Sequence, residues 1–226
     1  MIAGVDGLRD GWVAVLEDFD GRRVVRNFGR LGALLALTEL KVLVIDVPIG
    51  LMNAGTRLAD QEARQLLGRR ACCVFTAPIR PVLAASSREE ASAIWRRLEG
   101  KGCTCQLWAI VPKIREVDGL MRDVPTLQQT VREGHPEISF ATLNGGPALA
   151  HGKKTPAGQA CRLELLGRCF PDVQGVISAK PKWLRNDIID AYTMLWTAHR
   201  IIAGRSRKFP ETDQRDPYGL RAQIVA

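Results

Sequence analysis

The chain has 226 residues, 46% of them apolar and 25% charged, which suits one domain with an insertion and leaves too little for two full domains. No run approaches the roughly 18 apolar residues of a membrane-spanning helix, and Met1 leads into IAGV without the basic, apolar and cleavage pattern of a secretion signal. A cytoplasmic protein is therefore expected. Lys and Arg outnumber Asp and Glu by 32 to 24, a net charge of +8 that favours an anionic partner such as nucleic acid or a nucleotide.

Residues 2–6 (IAGVD), 12–17 and 23–28 (RVVRNF) are short β-rich runs between Gly-containing turns and predict an antiparallel meander. Residues 31–40 have helical composition, and KVLVIDVP is the most apolar run, which suits a strand buried on both faces. Thr56 to Gly68 reads as a capped amphipathic helix, followed by a Pro-punctuated loop. Residues 88–99 and LWAIVPKIREVDGLMRD predict two more helices, with the turn GKGCTC between them. A strand over 128–133 and a short helix from Pro136 to Gly145-Gly146 come next. HGKKTPAGQACRLELLGRCF reads as a basic loop and a helix, and a last helix runs from 186 to about 203. From about 205 the chain is polar and is expected to be a flexible tail. The expected fold is one mixed α/β domain over 1–226, with a helical elaboration around 55–125.

The six cysteines, Cys72-Cys73, Cys103-x-Cys105, Cys161 and Cys169, lack the paired C-x-x-C spacing of a structural zinc site. Buried free thiols are expected, with Cys103 and Cys105 the pair open to oxidation.

The acids carry more information. Asp6 ends the first strand and on its own reads as a turn residue. Asp46 sits inside VLVIDVPIG, where a buried strand leaves its charge unpaired unless a metal, a base or a hydrogen-bond network meets it. Asp187 and Asp190, three apart, lie about 60° apart around a helix and can converge on one ligand. Both also have a plain reading: acids in a first turn after an Asn186 N-cap are favoured by the helix dipole. Asp190 shares a polar stripe with Asn186, Thr193, Thr197 and Arg200, a candidate solvated face, whereas Asp187 lies on the edge of Ala191, Met194 and Ala198 that should pack on the sheet. Glu133, His135 and Glu137 cluster in VREGHPE, which alone is a Pro-initiated helix start. Four or more converging carboxylates repel one another unless divalent cations neutralise them, and Mg²⁺ or Mn²⁺ prefers such ligands. Two ions about 4 Å apart can then activate water for phosphodiester cleavage.

The pieces GVDGLRDGWVAV, VIDVPIGL, EARQLLGRRACCVFTAPIRPVL, QLWAIVPKIREVD, VREGHPEISFATLNGGPAL, KKTPAGQACRLELL and NDIIDAYTMLWTAHRI follow the order of domain-of-unknown-function family 429, which the chain resembles to about residue 220. That family is described as predicted nucleases with an RNase H-like fold. The resemblance implies a mixed sheet of three antiparallel strands followed by parallel strands, flanked by helices. It implies metal ligands at Asp6, Asp46, Asp187 and Asp190, the last two resembling the RuvC resolvase helix in which two acids three apart precede Ala, here Ala191. His135 and Glu137 would line the site as extra ligand or base, and Lys113, Arg115, Lys153 and Lys154 would bind phosphate. The family's last helix commonly opens with two adjacent acids, and here the first is Asn186.

Three functions follow as expectations. The first is a nuclease or phosphodiesterase in which Asp6, Asp46 and Asp187, with Asp190 or Glu137, hold Mg²⁺ or Mn²⁺ while basic loops hold the nucleic-acid backbone. The second is an actin-like nucleotide phosphotransferase, which GVDGLRDGWVAV resembles but whose duplicated fold 226 residues cannot accommodate. The third is a nucleic-acid or protein-binding module that keeps the fold without the chemistry.

Overall fold

Two tight turns set one edge of the sheet. Leu8 pairs with Gly11 across a hairpin in which Gly11 adopts φ 119°, a backbone region that strains any side-chain-bearing residue. The strands β1 (Ile2–Leu8), β2 (Gly11–Glu17) and β3 (Arg23–Phe28) form the expected antiparallel meander. The structure, a computed structural model, describes every residue except Thr38.

The VLVI of β4 (Val42–Ile45) runs parallel to β1, and β5 (Val131–Gly134) runs parallel to β4. A strand with parallel partners on both sides is covered on both faces, which is why this run is continuously apolar rather than alternating. With β6 (Lys208–Phe209) and β7 (Ile224–Val225) the sheet has seven strands in the order β3-β2-β1-β4-β5-β7-β6. Antiparallel strands followed by parallel ones, flanked by helices, are consistent with an RNase H-like arrangement.

After the short α1 (Leu31–Leu35), three helices lie between β4 and β5: α2 (Leu58–Leu67), α3 (Arg88–Glu99) and α4 (Cys105–Asp123). Ser87 and Thr104 cap α3 and α4, accepting from Glu90 N at 3.1 Å and Leu107 N at 3.2 Å. Four more follow β5: α5 (Pro136–Leu143), α6 (Pro156–Gly167), α7 (Val173–Ser178) and α8 (Lys182–Ile202). No described helix is long and apolar enough to cross a membrane.

Strand alternation divides the core. Ala3, Val5, Leu43 and Ile45 pack with Ile114, Val117 and Met121 of α4 on one face. On the other, Val13 and Val15 meet Ile188, Ala191, Tyr192 and Leu195 of α8, while Val42 and Val44 meet Met194 and Ala198. Each fully buried Leu or Ile of this layer contributes about 1.5–3 kcal/mol. The helix crosses β1 so closely that a Cβ on Gly4 would stand 2.0 Å from Leu195 N and 2.1 Å from Ala191 O.

Several expected boundaries move. The helix expected over 31–40 forms only over Leu31–Leu35, and Thr38 lies outside the described residues. Thr56 does not cap α2; Arg57 stands at that position and turns its guanidinium inward. Pro125 opens a 3-10 turn over Pro125–Gln129, so the strand expected from 128 begins at Val131. α8 starts at Lys182 after Pro181, a turn earlier than expected, because KWLR continues the helix and buries Leu184. Asn186 is therefore not its N-cap, and Asp187 is not in its first turn.

The tail expected to be flexible instead carries β6 and β7, with Leu220, Ala222, Ile224 and Ala226 buried. Asp216 anchors it: its carboxylate accepts from Leu51 N at 3.1 Å, Tyr218 N at 2.8 Å and Leu220 N at 2.9 Å, and pairs with Arg80. The six cysteines are free, but Cys72, Cys105 and Cys169 are exposed rather than buried.

Candidate functional site

Parallel register puts Asp6 and Asp46 side by side. Val5 pairs with Ile45, so the next residues on the two chains are the two acids, and Asp46 N donates to Val5 O at 3.1 Å. They continue the parity of Gly4 and Val44, the positions that face α8. From α8 come Asp187, half-buried, and Asp190, only 1% exposed. This is the carboxyl end of the parallel strands, where open α/β sheets place their ligands.

The electrostatics record the crowding. Burial, then repulsion from Asp190 and Asp46, raises the Asp6 carboxyl well above its ordinary range. Burial pushes Asp46 up to about 6, with Asp190 adding to the shift and His135 and Lys153 opposing it. Asp187 and Asp190 are also raised, in both cases chiefly by burial. Lys153 is the cation that meets this cluster: its Nζ donates to Asp190 Oδ2 at 2.6 Å, and attraction to Asp190 holds the ammonium above its usual range.

Asp6 and Asp46 open into a cleft of ≈ 500 Å³. Lys113, Lys153, Lys154 and Arg70 line it, as do Val47, Pro48, Val74, Phe75 and Ile110 on an apolar wall. Lys113 comes from α4 and lays its stem over Gly7, where a Cβ would be 2.8 Å from its Cδ and Cε. Its Nζ donates to Gly11 O at 3.0 Å and lies 5.0 Å from the Trp12 ring centroid, and burial lowers its pKa.

The other expected residues divide. His135 lines the cleft with a buried Nδ1 that has no hydrogen-bond partner among the described residues. Glu137 also lines it, but its carboxylate pairs with the buried Arg162 and lies 3.5 Å from Arg70. Glu133 takes two hydrogen bonds from Arg57, at 2.7 and 2.8 Å, and one from Ile49 N at 2.7 Å. A carboxylate so fully engaged holds the chain around the site rather than a ligand. Arg115 does not reach the cleft: its guanidinium donates to Leu83 O at 2.7 Å and to Ala85 O, pinning the Pro-rich loop.

A family model described as "Protein of unknown function (DUF429)" matches residues 4–215. The chain belongs to the DUF429 family. No curated protein matches it, and no solved structure does. For this DUF429 chain the site must therefore be judged on its own chemistry.

Hard carboxylate oxygens on Asp6, Asp46, Asp187 and Asp190 suit Mg²⁺ or Mn²⁺, and burial, the chief cause of their raised pKa values, is a cost that a bound cation would offset. Among the described residues no three His, Cys, Asp or Glu side chains stand in metal-holding geometry; the Lys153 ammonium occupies the place against Asp190. The donor chemistry of this DUF429 site fits a divalent cation, which would have to compete with Lys153.

The edge of Ala191, Met194 and Ala198 packs on the sheet as expected, with Asp187 half-buried at its end, but the burial of Asp190 was not expected. The stripe of Asp190, Thr193 and Thr197, expected to be solvated, is buried, because Thr193 Oγ1 donates to Ile189 O at 2.9 Å and Thr197 shares a 2.8 Å hydrogen bond with Ser139. Asn186 Oδ1 accepts from Gln159 Nε2 at 2.9 Å, tying α8 to α6. Arg57, Arg162, Arg70 and Phe75 were missed. The partners of Arg57 and Arg162 lie 76 and 25 residues away, beyond any local spacing signal.

Proposed function

We propose that this protein is a divalent-cation-dependent phosphodiester hydrolase acting on nucleic acid. One observation carries the reading: Asp6 and Asp46, side by side at the carboxyl end of the parallel strands, line a cleft edged with Lys113, Lys153, Lys154 and Arg70, and Asp190 and Asp46 repel the buried Asp6 carboxylate. Mutual repulsion among buried carboxylates destabilises the fold, and a site that retains it is a candidate for function. Asp6, Asp46, Asp187 and Asp190 would hold Mg²⁺ or Mn²⁺. A bound cation supplies activation of water and stabilisation of charge on the phosphoryl oxygens.

The chain's own groups divide the remaining work. Asp6 on β1 and Asp46 directly after β4, its backbone N–H held by Val5 O, keep their carboxylates close to the sheet, which favours a preorganised site. Lys113, Lys154 and, once released from Asp190, Lys153 attract the phosphate backbone. His135 lines the cleft beside the acids and is the imidazole placed to act as an extra ligand or base.

A second reading, a nucleic-acid-binding module without turnover, is favoured by the Lys153–Asp190 pair, which neutralises the cluster internally. Calorimetric titration of Mn²⁺ into wild type and Asp46→Asn separates the two, with cleavage of labelled DNA and RNA measured alongside. Micromolar to millimolar binding lost in the variant, together with metal-dependent cleavage, supports the hydrolase. Salt-sensitive nucleic-acid binding with no metal uptake and no cleavage supports the module.

A further inference from the structure

The cleft has two chemistries, and the acids use only one. Phe75 is 55% exposed and lines the same cleft as Asp6 and Asp46. Among the described residues it belongs to none of the hydrophobic clusters that build the core. Beside it stand Val47, Pro48, Val74 and Ile110, so an aromatic face and an aliphatic wall border the carboxylates and lysines.

A phosphate backbone alone has no use for such a wall. Duplex nucleic acid presents phosphates and groove edges, with its base faces stacked inside. An exposed aromatic plane bordering a cleft that holds two acids meets a base face only where that base is unpaired. A cleft of ≈ 500 Å³ is also of the size that takes one compact ligand unit, and the lysines along it match the charge of the flanking phosphates.

We propose that Phe75 and the adjoining apolar wall are a stacking platform for an unpaired nucleobase, so that the cleft takes single-stranded nucleic acid in preference to duplex. The inference rests on the nucleic-acid reading above but not on turnover. Its test is a binding measurement in EDTA, with no cleavage possible through a divalent cation. Fluorescence anisotropy of the full chain is followed with labelled single-stranded DNA and RNA of about 12 nucleotides and with the matching duplexes.

Phe75→Ala should weaken single-strand binding by about 5- to 100-fold, as loss of one base–aromatic stack does, and leave duplex binding unchanged. Phe75→Trp should bind within about twofold of wild type. Phe75→Leu keeps an apolar side chain without the plane and should behave as the Ala variant, which separates stacking from any loss of folding. Single-strand affinity unchanged in Phe75→Ala, or restored in Phe75→Leu, overturns the platform and leaves the hydrolase reading standing. A wild type that binds neither single strand nor duplex in EDTA overturns the platform and leaves the hydrolase to the Mn²⁺ titration and cleavage assay. Binding that depends on Phe75 without any metal-dependent cleavage leaves the platform intact and removes the hydrolase.

Discussion

Asp46 is held where its charge is unwelcome, and stability should report it. Its carboxyl titrates near 6 in the folded chain, above the ordinary value of 3.8. Between those pH values the folded state keeps a proton that the unfolded state has released, so this group makes stability fall as pH rises across the window. Asp46→Asn removes the charge and keeps the shape. We expect the variant to melt above wild type at pH 8 without divalent cations and to match it at pH 4. Saturating Mn²⁺ should reverse the order at pH 8 by stabilising only the wild type. A variant that melts below wild type at pH 8 without metal would mean that the Asp46 charge is satisfied within the fold. Asp46 was legible because a charge interrupts an apolar run. Glu133 was a weaker candidate, raised only by its neighbours His135 and Glu137, and the guanidinium that occupies it comes from Arg57, a partner so distant that no local pattern announces it.

At the scale of elements, the contact between β1 and α8 decides whether the acids meet. Gly4→Ala would drive a Cβ into backbone atoms of α8, which cannot move aside as a flexible side chain can. The expected loss is on the order of 3 kcal/mol, measured by urea denaturation, with Mn²⁺ affinity falling in whatever protein remains folded because Asp190 shifts away from Asp6. Unchanged stability would show that the helix has room to retreat. The helix itself was readable from its apolar periodicity. Its inward acid was not, because threonines on the same stripe satisfy their hydroxyls internally and so tolerate burial that their polarity seemed to forbid.

Across the whole molecule, the segment after residue 205 belongs to the architecture. Asp216 ties Leu51 at the end of the β4 loop, Arg80 in the Pro-rich loop and its own turn into one buried node. Asp216→Ala leaves the Arg80 guanidinium with one acid fewer and strips partners from three backbone amides. We expect a loss of about 3–5 kcal/mol and easier proteolysis between 205 and 226, read by denaturation and limited digestion. Resistance equal to wild type would show the tail is held by its apolar residues alone. The meander, the buried strand and the insertion were visible in the sequence through turn residues and periodicity. The tail was not, since strands of two residues are too short to show a period and its anchor is a single acid. The closeness of Gly4 to Leu195 has one more consequence, in the order of events during folding. The meander needs only neighbours in sequence, whereas β1 and α8 must close a loop of nearly the whole chain, the costliest kind of contact to make early. The acids should therefore come together among the last steps, and partly folded forms of the chain should carry no working site.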